Sequence, residues 1–417
     1  MFIIRNTFFA LIFCTILTGC NSKQDLTSEN GEYFISSLGS NIAMQTHTQL
    51  DNNFNNEKDN IILIANYNLY NSRNKNIRIN TTPLFTNNLL VILNDEGYIS
   101  AYNQELKKQW RINFFDAVEN KEKFCSNLTL QTNQHIIVGS CGTNVLAAFD
   151  INTGAKLWSQ TLDTAIGSTP TIIDDKIIIF TKIGSVYAVK AISGDILWVV
   201  PSIRKYQYKT IFPTQPIIYK NSVLQYDEII RSMDLESGVI NWAYNGDNLS
   251  VKGKDFIQPN VILDINILYL NNLNGIVMPI KIGDIKPLWT KQMITSQSLL
   301  VHQERVFAVN DLGVIYSLNT SDGSTIWSNN INPMKHGFLN KKIPYNELSF
   351  TTPIIFHNKL IVISSANHLM ILNSITGKLI NSQKFQMDIF GQPVVYKDKI
   401  YIITGNGTKL IVLKYNV

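Results

Sequence analysis

The four cysteines carry the most distinctive chemistry in this sequence: Cys14, Cys20, Cys125 and Cys141. Cys125 and Cys141 flank two strand-like runs whose midpoint falls in a polar turn at residues 132–134. In a hairpin turning there, the two cysteines would lie opposite one another, where a disulfide can form across a non-hydrogen-bonded pair. The sequence therefore predicts a Cys125–Cys141 disulfide, with two buried free thiols as the alternative.

The first twenty residues have the three parts of a secretory signal. Arg5 supplies the positive charge, an apolar run follows over residues 8–17, and two small residues precede Cys20. The tetrad Leu-Thr-Gly-Cys at residues 17–20 resembles a bacterial lipobox, which implies cleavage before Cys20 and lipidation of that cysteine. Several acyl chains, at about 0.8 kcal/mol per buried CH₂, make a stable anchor. The alternative is an ordinary signal followed by an incidental cysteine.

The predicted anchor indicates where the protein resides. By resemblance to the usual lipoprotein sorting rule, Asn21, where Asp would favour the inner membrane, favours an outer-membrane protein facing the periplasm. Residues 20–59 are predicted to be a flexible tether, because the stretch 51–60 contains five asparagines and little to bury. About 40 such residues span roughly 35 Å root-mean-square. Export also favours oxidation of the Cys125 and Cys141 thiols.

The remaining polar residues form no recognised catalytic or metal-binding pattern. His135, His302 and His357 fall in equivalent turns, and no His-x₃-His or Cys-x₂-Cys spacing occurs. The sequence contains no nucleophile elbow, phosphate loop or dinucleotide-binding fingerprint. We therefore expect a protein that is not an enzyme and holds neither a metal nor a cofactor.

Composition excludes several classes of protein. The chain has 417 residues, of which 45% are hydrophobic and 16% charged, which is too apolar for a disordered protein. The run at residues 2–19 is the one stretch that could enter a membrane, so a multispanning transporter is excluded. A net charge of +5 does not argue for a nucleic-acid partner, and an exported protein would meet none.

The rest of the chain is repetitive. Tryptophans recur at intervals of 38 to 48 residues, and four of them follow a glycine by four positions. The units begin near residues 83, 127, 170, 216, 259, 298, 353 and 393, and the full unit comprises four short strand-like runs, as propeller blades do. The tryptophans are Trp110, Trp158, Trp198, Trp242, Trp289 and Trp327.

The two ends of the repeat region complement each other. The last unit has three strand-like runs, and the run at residues 60–66 could supply the fourth, which would remove an exposed sheet edge. We predict an all-β fold: an eight-bladed β-propeller of four-stranded antiparallel blades over residues 60–417, with the ring closed by an N-terminal strand. A signal peptide at 1–19 and the tether at 20–59 precede it.

The Gly-x-x-x-Trp repeats resemble the pyrroloquinoline-quinone-type propeller repeat. This resemblance implies that each tryptophan packs against the neighbouring blade. Quinoprotein dehydrogenases with such repeats usually carry an adjacent Cys-Cys pair and a calcium site beside a catalytic Asp, and neither pattern occurs here. A quinone-dependent dehydrogenase is kept as an alternative function.

The lipobox, tether and eight repeats together resemble the scaffold lipoproteins of the outer-membrane β-barrel assembly machinery. The resemblance implies a scaffold, monomeric within a hetero-complex, that binds the periplasmic domains of the barrel subunit. Nascent outer-membrane proteins are a further candidate partner. The family's contact elements match Ile203 and Arg204 in the long connection after the third blade, and Asp255 before the fifth. The other alternative is a surface- or ligand-binding propeller lipoprotein unrelated to barrel assembly.

Replacing Cys20 by Ala should leave an uncleaved precursor without acyl label, because the lipid is added to this thiol before cleavage. Cys14→Ala is the matched control, since Cys14 lies inside the apolar run and should not affect processing. Electrophoretic mobility and incorporation of labelled palmitate measure both steps. Normal labelling of the Cys20→Ala protein would contradict the predicted anchor.

Overall fold

The computed structural model describes residues 24–27, 33–36, 60–68, 82–86, 88–119, 128–202, 215–226, 229–245, 261–271, 275–284, 286–293, 295, 298–332, 349–385, 389–404 and 409–416. A hairpin of β1 (Gln24–Thr27) and β2 (Tyr33–Ser36) lies within the segment predicted to be a tether. The other strands form eight four-stranded antiparallel sheets, and a single-turn helix, α1 (Phe114–Ala117), follows the first of them. This confirms the predicted all-β, eight-bladed propeller.

Each blade is built from strands that are consecutive in the chain, except the eighth. Blade 1 contains β4 (Leu84–Phe85), β5 (Leu89–Leu93), β6 (Tyr98–Asn103) and β7 (Lys108–Asn113). Blade 2 contains β8 (Leu128–Thr132), β9 (Ile136–Cys141), β10 (Val145–Asp150) and β11 (Lys156–Thr161), and blade 3 contains β12 (Thr171–Ile173), β13 (Lys176–Phe180), β14 (Val186–Lys190) and β15 (Ile196–Val200). Blade 4 contains β16 (Ile217–Tyr219), β17 (Ser222–Tyr226), β18 (Ile229–Asp234) and β19 (Ile240–Asn245).

Blade 5 contains β20 (Ile262–Asp264), β21 (Ile267–Asn271), β22 (Ile276–Lys281) and β23 (Lys291–Gln292). Blade 6 contains β24 (Leu300–His302), β25 (Arg305–Val309), β26 (Val314–Asn319) and β27 (Thr325–Asn330), and blade 7 contains β28 (Ile354–Phe356), β29 (Lys359–Ile363), β30 (His368–Asn373) and β31 (Leu379–Lys384). Blade 8 contains β32 (Ile389–Tyr396), β33 (Lys399–Thr404), β34 (Lys409–Asn416) and, from the start of the propeller region, β3 (Asn60–Asn68).

The eighth blade joins the two ends of the chain. β3 pairs antiparallel with β34, from Asn60 opposite Asn416 to Asn68 opposite Lys409. Blade 8 also packs on blade 1, because the Tyr396 hydroxyl donates to the Thr86 carbonyl at 2.6 Å and its ring stacks on Phe85 at 4.6 Å. That β3 is what closes the ring stays a prediction.

The core lies between the blades rather than within them. Each hydrophobic cluster of the described residues combines side chains from two adjacent blades. β13, with the sequence KIIIF, is buried at all five positions, because one of its faces meets blade 2 and the other meets blade 4. A single blade therefore cannot bury its apolar faces, and the stability of each blade depends on its neighbours.

A tryptophan of one blade docks on a glycine of the next. The Trp158 indole donates to the Ala191 carbonyl at 2.9 Å, and its ring covers Gly194 so closely that a Cβ there would lie 2.6 Å from it. Gly194 has φ +80°, which L side chains rarely adopt. In every such pair the indole donates to the carbonyl three residues before the glycine. The other pairs are Trp110–Gly154, Trp198–Gly238, Trp289–Gly323 and Trp327–Gly377.

Three of the eight blade boundaries depart from this arrangement. At the boundary between blades 7 and 8, the outer strand β31 has Asn381 at the position that tryptophan holds in other blades. A Cβ on Gly283 of blade 5 would meet nothing within 4 Å, and Trp242 of blade 4 instead lies beside Tyr244 with ring centroids 5.3 Å apart. Blade 1 has Leu106, at φ +58°, in the turn position that glycine holds elsewhere. The preceding blade's outer strand, β3, contains no tryptophan, and the Leu106 side chain packs into the cluster between blades 8 and 1.

Cys141 is buried at the end of β9 and is disulfide-bonded. The residue paired with it in the hairpin is Leu128, because the chain turns at residues 133–136 rather than around residue 133. The predicted register, with Cys125 directly opposite Cys141, is therefore wrong. Cys125 itself lies outside the described residues, and its bond to Cys141 stays a prediction.

Gly194→Ala should destabilise the protein more than Gly283→Ala. Both residues have positive φ, so both variants incur the backbone cost of about 1–2 kcal/mol. Only Gly194 lies under an indole ring, which adds an overpacking cost of about 1–3 kcal/mol. The midpoints of urea denaturation measure the difference. Equal midpoints would show that the indole contact does not constrain this turn.

Mass spectrometry of protein digested without reductant should find Cys125 linked to Cys141. A loop of 16 residues contributes up to about 3 kcal/mol in the chain-entropy model, so reduction should lower the melting temperature. The blades should still fold after reduction, because the buried core between blades is much larger than this contribution. Recovery of both cysteines as free thiols would refute the pairing.

Candidate partner-binding site at the long blade connections

All residues predicted for the anchor and partner sites, Cys20, Ile203, Arg204 and Asp255, lie outside the described residues. The structure does describe both ends of the segment that carries Ile203 and Arg204. We call the chain between β15 and β16 the blade 3 connection.

The blade 3 connection starts from a peptide unit that is hydrogen-bonded on both sides. Arg231 Nη1 donates to the Pro201 carbonyl at 3.2 Å, and the Ser202 N–H donates to Ser185 Oγ at 3.3 Å. Pro201 O and Ser202 N belong to the same peptide plane. The orientation of this plane is therefore set by one group from blade 4 and one from blade 3.

Arg231 makes further contacts across the boundary between blades 3 and 4. It lies in β18 and is 1% exposed. Its Nε donates to Gln225 Oε1 at 2.6 Å, and its Nη2 donates to the Gly184 carbonyl at 2.9 Å. Charge-assisted bonds of this kind are about twice as strong as neutral ones.

Sequence reasoning missed Arg231, because it lies inside a regular third strand. The signal that could have revealed it is the repeat itself. The residue seven positions before the turn glycine is uncharged in the other blades that have this glycine, and arginine in blade 4. Those residues are Ala147, Tyr187, Tyr316 and Met370.

The far end of the connection returns to the centre of the ring. Gln215 is buried and its Nε2 donates to Thr171 Oγ1 at 3.3 Å, while Thr171 Oγ1 donates to the Pro216 carbonyl at 2.7 Å. Thr171 begins β12, which contacts β8, the first strand of blade 2. Hydrogen bonds thus hold both ends of the connection, part-buried ones at Pro201 and Ser202 and buried ones at Gln215 and Pro216.

The other long connection, between β27 and β28, has a similar base on the same face. Strand direction alternates within a blade, so blade connections and second-to-third-strand turns emerge together. Asn332 Nδ2 donates to the Leu312 carbonyl at 3.3 Å, and the Ser349 N–H donates to Ser365 Oγ at 3.0 Å. The turns that contain the exposed His135 and His357 lie on the opposite face.

The strand that leads into the blade 3 connection exposes apolar side chains. In β15, Ile196, Leu197 and Val199 are 41%, 42% and 43% exposed. The outer strands of blades 1, 2, 4, 6 and 7 place Lys, Arg, Ser, Gln or Asn among their residues, whereas β15 reads ILWVV. Exposed apolar groups concentrated on one outer strand are typical of a surface that contacts another protein.

The aspartates with lowered pKa values lie in turns between strands. Hydrogen bonds from the Thr153, Ser237 and Ser324 hydroxyls lower the pKa values of Asp150, Asp234 and Asp322. Each acid and its donor lie within one turn between third and fourth strands. These carboxylates therefore stabilise the turns in which they lie.

The described part of the chain contains neither a metal-binding cluster nor a membrane-spanning helix. No three His, Cys, Asp or Glu side chains there come close enough to hold a metal ion. None of its helices has the length and hydrophobicity needed to cross a bilayer. The described features of the site are the hydrogen-bonded bases of the two long connections and the exposed apolar side chains of β15.

Comparison with known sequences relates the chain to one family. A family model described as "Outer membrane protein assembly factor BamB" matches residues 95–329 and 266–416. The chain is also similar to the outer membrane protein assembly factor BamB of Shewanella oneidensis. The two are 25% identical over 328 residues, which cover 75% of this chain and 76% of that protein.

Comparison with solved structures shows the same fold in proteins of different function. BamB from Moraxella catarrhalis matches with a TM-score of 0.64 at 16% identity, over 85% of this chain and 98% of that one. The quinohemoprotein alcohol dehydrogenase of Comamonas testosteroni matches with a TM-score of 0.60 at 11% identity, over 85% and 76% of the two chains. At these identities the structures show a shared fold alone.

Proposed function

Since the chain belongs to the BamB family of outer membrane protein assembly factors, we propose that it is a non-enzymatic scaffold of the outer-membrane β-barrel assembly complex. It is anchored in the outer membrane by lipid on Cys20 and faces the periplasm. Its partner is the periplasmic part of the barrel subunit, with nascent outer-membrane proteins as a further ligand.

The observation that carries this proposal is the base of the blade 3 connection. Two hydrogen bonds, one of them from the buried Arg231 side chain, hold Pro201 and Ser202 directly before Ile203 and Arg204, the residues that resemble the family's contact element. A segment held at its base loses less conformational freedom when it binds, so more of its contact energy contributes to affinity. Arginine in such a position is also a favoured hot-spot residue at protein interfaces.

The apolar outer strand beside the connection supports a protein partner. Ile196, Leu197 and Val199 belong to the strand that runs into Pro201, so the two features adjoin one another. A partner covering both would bury apolar surface and meet the arginine at its edge. Asp255 lies in the next blade connection, which begins after β19 of the neighbouring blade.

The likeness to a quinohemoprotein dehydrogenase does not favour an enzymatic function. The sequence has no adjacent cysteine pair, and the described residues contain no acidic cluster suited to calcium. The residues present therefore do not fit a quinone site of that kind. The shared feature is the propeller itself, which hosts unrelated functions.

Replacing Ile203 and Arg204 together by Ala should weaken binding to the purified periplasmic domains of the barrel subunit. The expected loss is about 2 kcal/mol or more, which is about thirtyfold in affinity. The melting temperature should not change, because exposed loop substitutions usually alter stability by less than about 0.5 kcal/mol. Isothermal titration calorimetry and thermal unfolding measure the two quantities.

Lys335→Ala is the matched control, since Lys335 lies in the other long connection. It should bind as tightly as the unmodified protein. A double variant with unchanged affinity would remove the blade 3 connection from the interface. If the unmodified protein itself does not bind these domains, the barrel subunit is not its partner.

A further inference from the structure

We propose that Arg231 is a positioning residue for partner binding: its buried guanidinium sets the direction in which the chain leaves blade 3. The inference rests on the proposed function, because it assigns Arg231 a part in the same binding site. Arg231 does not touch the partner. It acts on the peptide unit between Pro201 and Ser202, which directly precedes Ile203.

The proline ring and two hydrogen bonds together fix the orientation of that peptide plane. The pyrrolidine ring fixes φ of Pro201 near −65°. The bond from Arg231 to the Pro201 carbonyl then fixes ψ of the same residue, since ψ sets where that oxygen points. The bond from Ser202 N–H to Ser185 Oγ holds the other edge of the peptide plane. The last described peptide unit of this end of the connection therefore has a defined orientation.

The guanidinium is suited to this task because it is a planar fork. Its three described bonds reach the Gln225 side chain and the carbonyls of Gly184 and Pro201, which come from three different segments. Lysine offers a single nitrogen on a flexible stem and cannot reproduce this pattern. The Pro201 carbonyl is thereby tied to blade 4 and to the turn at Gly184, both parts of the rigid ring.

The fold alone does not require an arginine here. At the equivalent repeat position, Ala147, Tyr187, Tyr316 and Met370 support intact blades. Burying a guanidinium costs desolvation free energy that these side chains avoid. A residue that breaks the repeat at a cost, and bonds to the base of one connection, indicates a role beyond folding.

The other long connection provides a comparison within the chain. It leaves blade 6 and enters blade 7, so the position corresponding to Arg231 is Met370 of blade 7. The base of that connection is held by Asn332 Nδ2 and by the Ser349 N–H instead. Arg231→Met thus gives blade 4 the side chain with which blade 7 already packs at this position.

A positioning residue and a contact residue should have different kinetic effects. Without Arg231, the exit peptide samples more orientations, and a smaller fraction of molecules is competent to bind. The apparent dissociation constant then rises in inverse proportion to that fraction. The loss is expected in the association rate, because the bound state keeps all its contacts. Loss of a contact residue such as Arg204 raises the dissociation rate instead.

The test measures both rates for binding of the full-length protein to the barrel subunit's purified periplasmic domains. Arg231→Met should lower the association rate about tenfold and leave the dissociation rate within about twofold. Hydrogen exchange in peptides covering residues 200–216 should become faster, while the other blades keep their protection. Met370→Leu, at the same repeat position beside the other connection, is the control and should change neither rate.

Ser185→Ala keeps the test valid if Arg231→Met does not fold. It removes the bond to Ser202 N–H with a minimal change in volume and should show the same kinetic signature, with a smaller amplitude. An unchanged association rate in both variants, or a change confined to the dissociation rate, would overturn the role of Arg231 and leave the proposed function intact. Absence of binding by the unmodified protein would contradict the proposed function itself.

Discussion

The indole of one blade resting on the backbone of the next is the contact on which the ring depends. A glycine is needed under each docked indole for two reasons: the turn requires positive φ, and a Cβ would overlap the ring, as at Gly194 under Trp158. The indole N–H meanwhile satisfies a turn carbonyl, so one side chain supplies both apolar contact and a hydrogen bond. A contact between two blades thus determines which residue type the turn can hold.

The exceptions follow the same constraint. Where the preceding blade supplies no tryptophan, as at the start of the ring, Leu106 occupies the turn and its side chain fills the cluster between blades 8 and 1. Where blade 5 has a different turn, with Asp284 N–H donating to the Lys281 carbonyl, the space above Gly283 is empty. Glycine and tryptophan therefore occur as partners across a boundary, not as a motif within a blade.

Because the blades are held by contacts with one another, the stability of the ring does not depend on the connections between them. The blades bury their apolar faces against one another, so the connections between them can vary in length and sequence without loss of the core. The blade 3 connection is attached to that ring through Arg231, Ser185 and Thr171, and the other long connection through Asn332 and Ser365.

The sequence by itself determined the fold class, the number of blades and where most of them begin. Alternating apolar runs and turn residues are local signals, so they can be recognised without knowledge of the fold. Prolines at 83, 170, 216 and 353, for example, each stand one residue before a first strand. Tertiary structure alone decided which partner each repeated residue meets. Gly194 precedes Trp198 by four positions in the sequence, yet it packs under Trp158 of the previous blade. Arg231 likewise lies 30 positions from Pro201 but bonds to it. Periodicity reveals what repeats along the chain, whereas contacts between repeats depend on how neighbouring sheets stack in space.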